Sequence, residues 1–171
     1  MVPDAPTTDR FSETQRLGQN RVVRVLFVVE PIFLGLIFLA VGISSGGRGW
    51  PTLLIVWGGA GVALPVMLSR MSLRTRVTSS ELIAIWAPFY RRRIPLSEIE
   101  TAEPIRYSAL TDTGGWGVKR NKRFGLILNV FGDRAVHVTT ARKKLLLGTQ
   151  RPDELATAIL EGAIQSEPYR P

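Results

Sequence analysis

Ten basic side chains in the C-terminal half fall into three short clusters, and these are the residues best suited to binding an anionic group. From Ser69 to the C-terminus there are seventeen Lys and Arg residues and ten Asp and Glu residues, so this part carries +7 of the formal net charge of +8. The pattern places each cluster at a strand end or turn. We expect them to contact anionic lipid head groups or a protein partner; the alternative is that they are solvated turns that protect strand edges. The clusters are Arg91, Arg92 and Arg93; Lys119, Arg120, Lys122 and Arg123; and Arg142, Lys143 and Lys144.

Nucleic-acid binding is another function that a basic patch can serve. Trp116 lies close to the second cluster, and an aromatic ring beside positive charge is typical of surfaces on which bases stack. The chain nevertheless carries no recognised nucleic-acid-binding motif. The sequence therefore disfavours a nucleic-acid partner.

The residue types that most often perform covalent or metal chemistry are scarce. The chain has no Cys, and His137 is its only histidine, so a zinc site would need carboxylates for its remaining ligands. No nucleophile-elbow motif is present. The segment 114–117 (GGWG) lacks the phosphate-loop pattern and is interpreted as a turn with Trp116 packed against the domain. We predict no catalytic residue, no metal and no cofactor, and we interpret Glu98 and Glu100 as salt-bridge partners.

Glu30 is the only charged residue in a long apolar run, and an acid in such a position is a functional candidate by default. It lies within the first two turns of the run and is followed by Pro31. We expect it to pair with Arg21 or Arg24 near a membrane interface. A proton relay is the alternative.

The elements that position these residues begin with two apolar runs. The run 25–43 would form a helix of roughly 28 Å, close to the hydrocarbon thickness of about 30 Å. The run 50–68 contains no charged residue, and only a short Gly-rich linker separates it from the first. The two runs predict a transmembrane helical hairpin, in which close packing of the helices is assigned to Gly58, Gly59 and Gly61.

Arginine placement predicts the orientation of this hairpin. Seven Arg residues lie just outside the two runs, whereas Arg48 is alone in the connecting loop. By the positive-inside rule, both termini are expected in the cytoplasm, as in a multi-pass protein of the inner (cytoplasmic) membrane. The predicted divisions are a polar N-terminal segment (1–21), the hairpin (22–69), a cytoplasmic domain (71–164) and a C-terminal tail (165–171).

After the second run the hydrophobic pattern changes to a period of two, which is typical of strands. Gly132 and Asp133 separate two of these strands and predict a two-residue hairpin turn. After Pro152 the pattern becomes helical, with Leu155 and Ile159 on one face. The pattern therefore predicts a small α+β domain with one closing helix. Its strands are predicted at 73–78, 81–86, 89–94, 100–107, 124–131, 134–140 and 144–148.

Three segments carry a family resemblance: 93–99 (RIPLSEI), 114–117 (GGWG) and 148–155 (GTQRPDEL). With the two apolar runs, they resemble the bacterial two-transmembrane-helix membrane proteins that have a C-terminal pleckstrin-homology-like (PH-like) domain, over roughly residues 71–164. The resemblance implies a bent antiparallel sheet or open barrel capped by a C-terminal helix. It also implies a binding or scaffolding role.

One departure from phosphoinositide-binding PH domains affects the expected ligand. Those domains hold the lipid head group with bases on the first strand and in the loop that follows it. Here Arg74 and Arg76 lie on the strand, but the turn 78–81 (TSSE) has no base. We therefore expect no stereospecific phosphoinositide pocket.

These observations together predict a non-catalytic, membrane-anchored PH-like binding or scaffolding module at the cytoplasmic face. Its partners would be the lipid bilayer, anionic lipid head groups, another protein or its own copies. One alternative is an accessory subunit of a membrane complex that contacts partners through the hairpin. A membrane enzyme acting on lipids is another.

Overall fold

A computed structural model describes residues 9–19, 21–47 and 49–166 of the 171-residue chain. Arg48 of the predicted loop, residues 1–8 of the N-terminal segment and residues 167–171 of the tail lie outside the described residues. The chain divides into two compact units. One is Arg16–Met71, and the other combines the chain before Arg16 with the chain after Met71.

The unit Arg16–Met71 is helical. Its segments Val23–Ser44 and Trp50–Ser69 are long and apolar enough to cross a membrane, in agreement with the two predicted runs. The elements are a 3₁₀ turn (Leu17–Gln19), α1 (Arg21–Ser44), α2 (Trp50–Val56), a π-helical stretch (Trp57–Ala63) and α3 (Leu64–Ser69).

The two helical segments pack through an indole ring set among glycines. Trp57 donates a 2.8 Å hydrogen bond from Nε1 to the carbonyl oxygen of Pro31. A Cβ on Gly35 would lie 3.2 Å from this ring, and one on Gly61 would lie 3.0 Å from it. By contrast, a Cβ on Gly58 or Gly59 would meet nothing within 4 Å. Of the three glycines assigned to close packing, only Gly61 therefore lies against the neighbouring segment among the described residues.

The π-helical stretch directly precedes a proline-containing turn. Leu64 donates its backbone N–H to the carbonyl oxygen of Gly59, five residues earlier. The next residue, Pro65, has no N–H to donate. The second apolar run thus contains a widened turn just before its proline.

The other unit contains two sheets and a C-terminal helix. The strands are β1 (Phe11–Arg16), β2 (Ser72–Val77), β3 (Glu81–Ala87), β4 (Tyr90–Pro95), β5 (Ile99–Arg106), β6 (Gly117–Asn121), β7 (Gly125–Asn129), β8 (Arg134–Thr140) and β9 (Lys144–Gly148); the helix is α4 (Pro152–Ser166). The first sheet has the order β1-β2-β3-β4 and the second has the order β5-β8-β9-β7-β6.

The predicted hairpin around Gly132 and Asp133 is wrong. β9 lies between β7 and β8, pairing parallel with β7 and antiparallel with β8. Residues 145–147 are three consecutive buried leucines, a run that suits a central strand covered on both faces. The second sheet therefore contains one parallel pair rather than being wholly antiparallel.

β1 belongs to the first sheet, whereas residues 1–21 were predicted to form a polar N-terminal segment. Arg10 donates its backbone N–H to the carbonyl oxygen of Val77 at 2.8 Å, which places β1 beside β2. Phe11 is 5% exposed and Gln15 is 2% exposed, so the inward face of this strand is buried. One apolar residue in six gives too weak a pattern for a strand to be predicted.

The core lies between the sheets and α4. Leu155 and Ile159 of the helix are fully buried, as predicted, together with Leu73, Leu128 and Val136 of the strands. Gly162 allows the helix to approach Leu96, because a Cβ at this position would lie 2.4 Å from the Leu96 Cδ1.

Candidate functional site

The domain has two ends, which are defined by where its strands begin and finish. We call one the entry end, where β2 begins at Ser72 and β3 ends at Ala87; these two residues are paired. At the same end, Trp86 donates from Nε1 to the carbonyl oxygen of Asn129, the last residue of β7, at 3.3 Å. We call the opposite end the far end, where β4 leads through the 3₁₀ turn Leu96–Glu98 into β5.

A cleft of about 1030 Å³ lies along β4 at the far end, and we call it the basic cleft. Its wall includes the 3₁₀ turn, the last residues of β6, the first residues of β7, and the turn between β8 and β9. Six basic and two acidic side chains line it, a net charge of +4; they are Arg92, Arg93, Arg120, Arg142, Lys143, Lys144, Glu98 and Glu100. Three segments far apart in sequence thus contribute to one site.

The first predicted cluster, at 91–93, lies within β4 rather than at a strand end or turn, so its side chains alternate between the faces of the sheet. Arg92 pairs with buried Ala84 and lines the cleft. Arg93 also lines the cleft, and its Nη1 atom lies 3.9 Å from the Glu81 Oε2 atom. Arg91 is exposed and does not line the cleft.

The residues of the second predicted cluster also differ in whether they line the cleft. Its first two residues lie in β6, a strand that was not predicted, and Arg120 is the one residue of this cluster that lines the cleft. Lys119 instead donates to the carbonyl oxygen of Gly114. Arg123 lies 3.3 Å from the Asp112 carboxylate and covers the Phe124 ring at 4.7 Å. These contacts hold the loop before β6 against the turn after it.

All three residues of the third predicted cluster line the basic cleft. Arg142 and Lys143 lie in the turn between β8 and β9, and Lys144 is the first residue of β9. No ion pair involves any of them, or Arg92 or Arg120, within the part of the chain that the structure describes. Their charge is therefore available to a ligand.

Glu98 and Glu100 do not fulfil their predicted role. Both lie at the wall of the basic cleft, yet neither forms an ion pair with another described residue. They lower the positive charge of the cleft without cancelling that of a particular base. The polar residues Tyr90, Ser97, Asn121 and Thr140 also line the cleft, and nothing in the sequence identified them.

His137 lies outside the cleft. It faces the side of the second sheet that Phe124 covers, with the two rings edge to face at 5.8 Å. Burial lowers the pKa of His137 and nearby Lys144 lowers it further, while Glu103 acts in the opposite direction. No group of three or more acidic or histidine side chains suitable for a metal occurs among the described residues.

A buried polar network holds the loop before β6. Asn129 is fully buried; its Nδ2 donates to the Tyr107 hydroxyl at 3.0 Å and its Oδ1 accepts from the backbone N–H of Gly117 at 2.9 Å. Burial raises the pKa of Tyr107 above its usual value, because the charged phenolate would lose water. This network stabilises the domain and does not line the cleft.

The predicted pairing of Glu30 with Arg21 or Arg24 is absent from the described residues. The arginines precede Glu30 by nine and six positions, whereas residues three or four apart are neighbours on a helix surface. Its Oε2 atom is buried and has no hydrogen-bond partner in the described chain.

No protein-family model matches the chain, and no match is found among curated proteins or solved structures.

Proposed function

We propose that this protein is a non-catalytic, membrane-anchored binding module with a PH-like domain, and that its basic cleft binds an acidic segment of a partner protein. The observation that carries the proposal is the convergence of three basic segments on one cleft whose charges are largely unpaired. The helices α1 and α2–α3 would span the membrane with both termini in the cytoplasm.

The dimensions and the charge of the cleft favour an extended acidic ligand. A volume of about 1030 Å³ is at the upper end for sites that enclose a small molecule. The bases come from three separate stretches of backbone, so a ligand with several spaced charges would use more of them than a single head group would. Glu98 and Glu100 in the wall would repel any anionic group placed beside them, so the charges of the ligand would have to be spaced to avoid both acids.

The edge position of β4 supports the same occupant. Among the described strands β4 pairs only with β3, so its other edge has backbone groups free to contact a ligand. Arg92 and Arg93 project from this strand. An extended acidic peptide lying along β4 would combine backbone contacts with charge pairing.

The test uses the full-length protein in nanodiscs of zwitterionic lipid, titrated with a fluorescein-labelled decaglutamate peptide and followed by anisotropy. We expect saturable binding that weakens as salt rises to about 1 M, where the Debye length is about 3 Å. Replacing Arg92 and Arg120 with Ser should weaken binding up to roughly thirty-fold, at up to about 1 kcal/mol per base.

The matched control replaces Arg91 and Lys122 with Ser. These bases come from the same two clusters but do not line the cleft, so binding should be unchanged. Equal weakening by both double variants would refute a site in the cleft and indicate diffuse attraction by net charge. Loss of peptide binding in nanodiscs of anionic lipid, with wild-type binding in neutral ones, would assign the cleft to lipid head groups instead.

A further inference from the structure

Two aromatic side chains remain exposed near the entry end of the domain. Phe89 is 63% exposed in the turn between β3 and β4, and Trp116, predicted to pack against the domain, is 47% exposed just before β6. The Phe89 ring lies 5.9 Å from that of Trp86. Trp86 in turn adjoins Gly117, where a Cβ would come within 3.9 Å of the indole. Phe89 and Trp116 therefore belong to one surface, which we call the aromatic edge.

The aromatic edge lies where the chain enters the domain. Ser72 pairs with Ala87, so the turn that carries Phe89 is beside the first residue of β2. α3 ends at Ser69, three residues before Ser72. Three residues of extended chain span at most about 11 Å. If the helices cross a bilayer, this tether keeps the entry end within reach of the lipid head groups.

Two unpaired bases accompany the aromatic edge. Arg74 of β2 and Arg91 of β4 are both paired in register with Ile85 of β3, so they lie on one face of the sheet. Both are exposed, and neither forms an ion pair with another described residue. Exposed aromatic rings beside guanidinium groups match the chemistry of a membrane interface.

We propose that the aromatic edge is a lipid contact: Phe89 and Trp116 enter the head-group region of the bilayer that the helices span, and Arg74 and Arg91 bind lipid phosphates. The inference rests on the membrane anchoring proposed above and is independent of what occupies the basic cleft. The Trp116 indole is favoured at this depth because its apolar surface leaves water while its N–H stays hydrated, and the Phe89 ring would remove further apolar surface from water. The contact would restrict the orientation of the domain relative to the bilayer.

The absence of Cys allows single labels to test this in the full-length protein. Phe89→Cys and Trp116→Cys would each be labelled with the polarity-sensitive fluorophore NBD and reconstituted in phosphatidylcholine–phosphatidylglycerol vesicles. Lipids with a nitroxide high on the acyl chain quench only a label that enters the bilayer. Two controls are Ile164→Cys, an exposed apolar position (74%) near the far end, and Asp133→Cys, an exposed polar position near the entry end.

We expect blue-shifted emission and several-fold stronger quenching at positions 89 and 116 than at either control. Replacing Arg74 and Arg91 with Ser should reduce quenching at position 89. Equal quenching at positions 89 and 133 would overturn the inference, because it would show proximity through the tether alone. No quenching at position 89 would also overturn it. Neither result alters peptide binding to the cleft in neutral nanodiscs, so the two proposals fail separately.

Discussion

Glu13 should be one of the most important polar residues for the stability of the domain, although it precedes the first helix. Its carboxylate accepts hydrogen bonds from the Thr149 hydroxyl, from the backbone N–H of Gln150 at 3.0 Å and from Gln15 Nε2 at 3.2 Å. Thr149 is fully buried. Through these bonds β1 is joined to the connection between β9 and α4.

The expected cost of losing this carboxylate follows from its partners. A hydrogen bond to a charged group contributes about 1.5–3 kcal/mol. Glu13→Gln removes the charge and replaces one acceptor oxygen with a donor, so we expect a loss of about 2 kcal/mol. Glu13→Ala also leaves the buried Thr149 hydroxyl without this acceptor, and we expect about 3 kcal/mol.

Pulse proteolysis of the full-length protein in detergent and urea would measure these losses. With an m value of about 1–3 kcal/mol/M, a loss of 2 kcal/mol lowers the urea midpoint by about 1 M. The control is Glu98→Gln, an exposed acid with no ion pair among the described residues, which should change stability by less than about 0.5 kcal/mol. If Glu13→Gln and Glu98→Gln had the same midpoint, the proposed role of β1 would be wrong.

Two further predictions concern topology and pH. Ser45→Cys should react with an impermeant maleimide added to intact spheroplasts, and Ile164→Cys only after lysis; the reverse pattern would contradict cytoplasmic termini. Because the folded-state pKa of His137 lies below its ordinary value of 6.5, protonation favours the unfolded chain, so stability should fall as pH drops through that value toward the lowered pKa. Thermal melts would compare the wild type with His137→Leu at neutral pH and at about pH 5.5. The melting temperature of the variant should fall less over this range than that of the wild type. An equal fall in both proteins would rule this histidine out as a cause.

Local patterns in the sequence were enough to predict most strands, the closing helix and the two apolar helices. Alternation of apolar and polar residues is set by which face of a strand is buried, so it can be read without knowing the partner strand. The order of the strands within a sheet cannot be read from such local patterns, because it depends on contacts between segments that are distant in sequence. The buried run at 145–147 was nevertheless a usable signal, because continuous apolar sequence favours a central strand over a hairpin edge.

The site was predictable only in part. The bases that line the cleft were all identified, but their convergence depends on how the two sheets are arranged. Alternation along β4 separates Arg91 from Arg92, but it does not predict that Arg93, on the same face as Arg91, also lines the cleft. The exposure of Trp116 could not have been foreseen, since an isolated aromatic residue in a Gly-rich loop gives no period from which burial can be judged.

The place of β1 in the sheet has a consequence for how the protein is made. β1 is synthesised before the apolar helices, whereas its neighbour β2 is synthesised after them. If the two apolar helices cross a bilayer, the nascent chain must return to the compartment in which it left β1 before this sheet can form. Insertion of only one helix across the bilayer would separate β1 from β2 on opposite sides. The first sheet could then not form. A folded domain would therefore indicate that both helices had crossed the bilayer.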